Sequence, residues 1–263
     1  MEKELEKYLK ADFIGRNLHS FGSLASTNIQ AKKIAKESPE GTVVVSEGQT
    51  SGKGRLGRSW VSPKGKGIWM SMVLKPKVEA RKVASISLVA AAAVSMALKD
   101  LGIESGIKWP NDILVDGKKV AGILSEASFQ GSLVDYVVLG IGINVNLEED
   151  DFPETLKEKA SSLKIIEGQD INKVKLLALV LNHFEKLYQS FMLEGNLSKT
   201  IKIVRERSVL KDKQVKILGT SSEKTARVLG IDGEGRLVVK YEDGSAENLA
   251  YGEVSVRGLD GYI

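Results

Sequence analysis

The stretch Gly48 to Trp60, GQTSGKGRLGRSW, decides how this chain is read. Four glycines, one lysine and two arginines fall within thirteen positions that neither helical nor strand periodicity explains. Glycine lets the backbone reach positive φ and lets N–H groups approach a ligand closely. Lys53, Arg55 and Arg58 add donors suited to phosphate or carboxylate. From Gly48 to Val78 there are seven basic residues and no acidic one, in a chain whose 38 basic and 34 acidic residues otherwise nearly cancel. Charge concentrated on a glycine-rich backbone reads as an anion-binding loop, with a solvated basic loop as the plainer alternative.

Two familiar phosphate motifs fail on context. Gly52-Lys53-Gly54-Arg55-Leu56-Gly57 matches G-x-G-x-x-G, but a dinucleotide fold needs a helix opening at the third glycine and an acid about 20 residues on. Here Trp60, Pro63, Gly65 and Gly67 follow, and the region from Lys75 to Lys77 is basic. A P-loop fails because Gly48 stands one residue too close to Gly52-Lys53 and Gly54 occupies the Ser/Thr position that would touch magnesium.

The 263 residues suit one large domain plus one small one, and 42% hydrophobic content allows a sizeable core without staples. With no cysteine and only His19 and His183, disulfides, thiolate metal sites and the usual zinc centre are not expected. The start, MEKELEKYLKADF, mixes acids and bases and does not read as a signal peptide, so a cytoplasmic protein is expected. The longest uncharged run, Val83 to Leu98, has 16 residues. As a helix it would span about 24 Å, short of a hydrocarbon core of about 30 Å. Rich in Ala and Ser, it reads as a buried helix and gives no membrane role. A formal charge of +4 is too small to imply a nucleic-acid partner.

Along the chain, residues 1 to 20 read as a short helix and a lead-in. Ser26, Thr27 and Asn28 precede a helical pattern over Ile29 to Lys36; any of them can cap that helix, or their groups can bind the polar end of a small ligand. Thr42 to Ser46 and Ile68 to Leu74 read as strands, and Glu79 to Leu101 as an Ala-rich helix stopped by Gly102. In Ile107 to Ile113, IKWPNDI, the proline keeps the chain extended and Asn111-Asp112 turn it. Ile113 to Val115, Asp116-Gly117 and Lys118 to Ala127 form a strong hairpin signal, and Val134 to Leu147 adds a further strand. Helices are expected at Glu154 to Ala160, at Lys173 to Leu193 between Asn172 and Gly195, and at Leu197 to Arg207. Beyond Ser208 five short β-branched runs, Gln214 to Leu218, Thr225 to Ile231, Arg236 to Tyr241, Glu247 to Ala250 and Glu253 to Arg257, describe a small barrel. Its 8 basic and 9 acidic residues do not make a nucleic-acid platform.

These stretches together resemble the biotin protein ligases over nearly the whole chain. Ser26-Thr27-Asn28 matches the family's small polar triplet, Gln49 and GKGRLGRSW match its GRGRxGRxW loop, and Lys108 to Asp112 matches its KWPND. Lys118 to Leu124, KKVAGIL, matches its K-hydrophobic-AGIL strand. Lys53 departs from the family's usual arginine; it keeps the sign but loses bidentate geometry. Some members carry an N-terminal DNA-binding winged helix, for which residues 1 to 20 are too few, so the form lacking that domain is expected.

The resemblance implies an α+β fold. Residues 1–207 would form a large mixed, mostly antiparallel sheet flanked by helices, like class II synthetases, and residues 208–263 a small SH3-like β-barrel. It implies that ATP and biotin, with Mg²⁺, give biotinyl-5′-adenylate, and that biotin then passes to a lysine of a biotin carboxyl carrier protein. By resemblance Ser26, Thr27, Asn28 and Gln49 would bind biotin's polar ring, and Gly122 and Leu124 would wall its apolar part. Lys119, Arg55 and Lys108 would be catalytic. Lys53, Gly54, Arg55, Arg58, Trp60, Asn111 and Asn144 would meet the nucleotide, and Asn111 and Asp112 the metal. A homodimer is expected. The rival readings are a lipoate ligase, and a nucleic-acid module stacking bases on Trp60 and Trp69.

Overall fold

The β-branched run Thr-Val-Val-Val-Ser over Thr42–Ser46 shows no polar alternation, and it forms a strand buried on both faces. It is the second of seven strands in one sheet: β1 (Leu18–Phe21), β2 (Thr42–Ser46), β3 (Ile68–Leu74), β4 (Gly106–Lys108), β5 (Asp112–Val115), β6 (Lys118–Gln130) and β7 (Leu133–Ile143). Their order is β1-β2-β3-β7-β6-β5-β4; β1 runs parallel to β2 and the other described pairs are antiparallel. The helices are α1 (Glu2–Leu5), α2 (Thr27–Ile34), α3 (Ala80–Val83), α4 (Ile86–Lys99), α5 (Glu154–Lys157), α6 (Leu163–Glu167), α7 (Lys173–Glu194) and α8 (Ser198–Glu206). This computed structural model describes residues 1–131, 133–195, 197–218, 223–251, 255–258 and 262.

Strand alternation sends side chains to two layers. Val43 and Val45 join the main core with α4 and α7, whereas Val44, Val73 and Val138 meet Ala31 and Ala35 around α2. The alanines of α4 let it lie close to the sheet and to α7, and all four from Ala90 to Ala93 are inaccessible to solvent. The long uncharged run is thus core.

Several expected bounds shift for identifiable reasons. The helix expected from Glu79 to Leu101 is interrupted between α3 and α4, where hydrogen bonds tighten to three residues back: Ser85 N to Lys82 O and Ser87 N to Ala84 O. Gly102 does end it, at φ +81. β7 stops at Ile143, because the backbone of Asn144 and Val145 turns to bond Leu163 and Lys164. α5 ends at Lys157, since the carbonyl of Lys159 is taken by Lys119 N across the isolated bridge of Lys119 with Ala160. β1 was not expected: its Leu-His-Ser-Phe is too short to declare itself and exists through pairing with β2. The β5–β6 turn is as read, with Asp116 at φ 48 and Gly117 at φ 75. Asn172 Oδ1 caps α7 by accepting from Lys175 N, and Gly195 at φ 64 closes it.

The second sheet holds β8 (Gln214–Leu218), β9 (Glu223–Ile231), β10 (Leu237–Tyr241), β11 (Ala246–Leu249) and β12 (Ser255–Gly258), antiparallel in the order β11-β10-β9-β8-β12. Glu253, expected in the last strand, lies outside the described residues. These five short antiparallel strands stand where the small C-terminal β domain was expected. The two sheets share one apolar cluster. Buried Trp109 donates from Nε1 to Gly235 O at 2.9 Å and tilts against Tyr251, ring centroids 5.4 Å apart. The tryptophan of the IKWPNDI stretch is therefore a packing residue, and it pins the small sheet beside the site.

Candidate functional site

The register of the large sheet makes the floor. On the face that carries α2, Trp69, Gly142, Gly122 and Asp112 form one cross-strand row, and Ser71, Gly140 and Leu124 form the next. Glycine is required twice over: a Cβ on Gly140 would lie 2.2 Å from Asn28 Oδ1, and one on Gly142 would lie 2.6 Å from Trp60 Nε1. The result is a cavity of about 380 Å³. Gly140 and Gly142 were not singled out from the sequence, although their spacing of two places both on one strand face.

One end of the cavity is neutral and polar. Gln49 Oε1 accepts from Thr27 N at 2.9 Å and from Thr27 Oγ1 at 3.2 Å, and Gln49 Nε2 donates to Ser62 Oγ. Ser71 Oγ lies 2.8 Å from Thr27 Oγ1 and 2.6 Å from Asn28 Oδ1, and Asn28 Nδ2 donates to Glu126 Oε2. The triplet does not cap α2 as one reading had it: Ser26 holds the N-cap position without a side-chain bond, and Gln49 supplies the acceptor from another segment. Thr27 and Asn28 are thereby held in place rather than consumed by their own helix.

The other end is cationic. The β5–β6 register slips at Leu114, leaving Val120 as an extra residue, and such bulges re-aim side chains. Lys119 points into the cavity, its Nζ 2.6 Å from Asp112 Oδ1 and 5.0 Å from the centre of the Trp60 ring. That ion pair is close but off the line of a good hydrogen bond, so charge rather than orientation holds it. Arg55 Nη1 donates to Asn111 Oδ1 at 2.9 Å, and Asn111 Nδ2 donates to Ile123 O. Lys108 is 4% exposed, and its burial pushes its pKa down to about 8. Burial likewise lowers the Arg55 guanidinium, against the opposing pull of Asp112. Asn144 lines the cavity while its amide donates to Ser161 O.

Two residues at this end, Arg257 in the small sheet and Tyr262 after its last strand, were missed. Arg257 of β12 lines the cavity, and Tyr262 donates its hydroxyl to Asp112 Oδ2 while its ring lies 3.6 Å from Lys108 Nζ and its carbonyl accepts from that ammonium. Burial, reinforced by Asp112, pushes the Tyr262 hydroxyl well above its usual range. No local signal marks either residue, because they reach the site only through the docking of the two sheets.

The basic loop closes over both ends. Gly54 N bonds Arg58 O and Trp60 N bonds Gly52 O, folding the loop into a narrow ribbon whose tip, Leu56 and Gly57, is left-handed at φ 56 and 72. Bonds from Thr50 N to Leu24 O and Ser51 N to Ala25 O tie its start beside the polar triplet. Lys53, Gly54, Arg55, Arg58 and Trp60 all line the cavity with Ser26, Thr27, Asn28 and Leu124. Trp60 lies on Gly122 and Gly142, and its buried Nε1 has no hydrogen-bond partner among the described residues.

Asn111 and Asp112 do not present the vacant ligand set expected for Mg²⁺. Both oxygens of Asp112 are taken, by Lys119 and Tyr262, and Asn111 Oδ1 accepts from Arg55. Among the described residues no group of three acidic or histidine side chains is placed to hold a metal.

Neutral donors and acceptors at one end, cations at the other and glycine between them define a site for a ligand with an uncharged polar head and an anionic tail. Comparison with known proteins narrows this. The model of the biotin/lipoate A/B protein ligase family matches residues 21–144, and that of the biotin protein ligase C terminal domain matches residues 212–257. The bifunctional ligase/repressor BirA of Bacillus subtilis is 38% identical over 252 residues, covering 92% of this chain and 75% of that protein. A biotin protein ligase from Aquifex aeolicus, solved in complex with biotin and ATP, is 31% identical with a TM-score of 0.80, covering 92% of this chain and 99% of that one. One from Leishmania major, 22% identical at a TM-score of 0.59, shares the fold. The chain belongs to the biotin protein ligase family. Its match to the C-terminal domain named for biotin ligases separates it from the lipoate reading.

Proposed function

We propose how this ATP-dependent biotin protein ligase divides its work among the residues above. The neutral end, Ser26, Thr27, Asn28 and Gln49, takes biotin's ureido ring, and Gly122 and Leu124 face its apolar part. Lys119 meets the carboxylate and the α-phosphate. The biotin carboxylate oxygen attacks the α-phosphorus of ATP, the bond to the bridging oxygen breaks, and pyrophosphate leaves. Bringing two anions together is the barrier, so fixed cations lower it without reorganising at the moment of reaction. Arg55, Lys53, Gly54, Arg58, Trp60 and Asn144 surround the nucleotide, with Lys108 toward the leaving phosphates. Mg²⁺ bound to ATP would neutralise the triphosphate.

In the second step the amine of a carrier lysine attacks the mixed anhydride carbonyl, forming the amide and releasing AMP. Until then Gly48 to Ser59 shields the intermediate from water and stray amines. The carrier is a biotin carboxyl carrier domain; cytoplasmic operation and a homodimer come with the same family reading. The observation that carries the proposal is the two-ended cavity under a loop that lines both ends. Incubating a biotin carboxyl carrier fragment with the protein, biotin and MgATP should add one biotin to one lysine by mass spectrometry, and an unmodified fragment would refute it.

A further inference from the structure

Asn111 and Asp112 stand side by side after Pro110, where β5 opens, and each contacts one of the cations that line the cavity. We propose that they are positioning residues, Asp112 for Lys119 and Asn111 for Arg55, and that neither is a metal ligand. The inference deepens the site assignment above and rests on it.

Three observations carry it. Asp112 lines the cavity and faces Gly122 across the β5–β6 ladder, where the stem of Lys119 packs, and its Oδ1 lies 2.6 Å from Lys119 Nζ. The two side chains are only 16% and 21% exposed, which keeps the attraction from being screened away. Asn111 is locked from behind. Its Nδ2 donates to Ile123 O at 3.0 Å and its own carbonyl accepts from Ile123 N, so Oδ1 can point one way only, toward Arg55 Nη1 at 2.9 Å. Finally, Asp112 is the only carboxylate among the described residues lining the cavity, beside Lys53, Arg55, Arg58, Lys108, Lys119 and Arg257.

Cations gathered for a substrate repel one another while the substrate is absent. Without an anchor, Lys119 on its flexible stem would drift toward water. A carboxylate that holds the ammonium by charge alone leaves its N–H donors to meet the biotin carboxylate and the α-phosphate. Such support of reacting groups is what sets their geometry. A metal ligand would need the opposite arrangement, with oxygens held open.

The test measures pyrophosphate release across a Mg²⁺ titration, and separately the binding of a biotin–adenosine sulfamate in EDTA. Asp112→Asn should lower kcat for adenylate formation by about 100-fold, the scale of an ångström-size misplacement, with half-saturating Mg²⁺ unmoved. It should also weaken sulfamate binding in EDTA, which loss of a metal ligand would leave alone. Adding Lys119→Ala to Asp112→Asn should cost nothing beyond Lys119→Ala alone, since the two act as one unit. A variant whose rate recovers at high Mg²⁺, or whose binding in EDTA is normal, overturns the proposal. Asn111→Ala keeps it open to refutation should Asp112→Asn fold poorly. It should bind the sulfamate more weakly in EDTA and be no worse combined with Arg55→Gly. Near-normal release by Lys119→Ala would sink the site assignment itself, whereas an inactive Lys119→Ala beside an unaffected Asp112→Asn would sink the positioning role only.

Discussion

The two ends of the cavity are held in different ways. At the neutral end Gln49, Thr27, Asn28 and Ser71 satisfy one another through short hydrogen bonds, so the network is stable with no ligand present. At the cationic end Arg55, Lys108, Lys119 and Arg257 come from four separate segments, and among the described residues lining the cavity Asp112 is the one carboxylate, acting on Arg55, Lys108 and Lys119. The polar end is thus preorganised by its own contacts, and the charged end by anchors beside it. That difference predicts that the ends can be damaged independently.

The sharpest test is Lys119→Ala. Adenylate formation, followed by pyrophosphate release, should fall about 1,000-fold, the scale of losing a charge-stabilising donor. The biotin dissociation constant should stay near wild type; a parallel loss of biotin binding would break the comparison. Gly140→Ala attacks the other end, where the new methyl would sit 2.2 Å from Asn28 Oδ1. Overpacking of about 2–3 kcal/mol should weaken biotin binding on the order of 100-fold by calorimetry. Arg55→Gly removes the bond to Asn111 that holds the loop. Adenylate should still form but escape, raising labelling of bystander lysines about 10-fold over wild type by mass spectrometry; labelling at the wild-type level would remove Arg55 from the shielding role.

Lys108→Met should have the mildest effect on the fold and the most telling one on pH dependence. Burial lowers the Lys108 pKa from 10.5 to about 8, so folding disfavours its charged form. The penalty is fully present below about pH 8 and fades as pH rises toward the unfolded pKa. The variant should therefore be more stable at pH 7 by about 1–3 kcal/mol, read as a higher melting temperature, and lose the wild-type gain in stability between pH 8 and 10.5. Its KM for ATP should rise, the usual cost of relieving strain at a functional site. A variant that melts lower at pH 7 would show that contacts made by the Lys108 ammonium outweigh its desolvation.

Much of this was legible beforehand because it is written in local signals. The β-branched run at Thr42–Ser46, the Asp116-Gly117 turn and the Asn172 cap each act within a few residues, and they lie where their chemistry places them. The basic glycine loop and the polar triplet were also visible, since their composition fits no regular element. The interruption after Val83 was not visible, because the run there is uncharged and holds no glycine or proline. The choice between the two readings of Ser26-Thr27-Asn28 could not be made from the sequence, because the acceptor for Thr27 N, Gln49, lies 22 positions away. Arg257 and Tyr262 gave no sign at all.

The sequence by itself determined most of the strands, though not β1, where the chain turns, and that a glycine loop bearing cations faces an anion. Those are decisions of backbone dihedrals and side-chain charge, settled over a few residues. Only the tertiary structure decided that Gly140 and Gly142 clear the floor, that Asp112 steadies Lys119 rather than standing open, and that the small sheet completes the cationic end. Each of these depends on strand register or on the docking of distant surfaces, and burial energy selects such contacts only once the whole chain has packed.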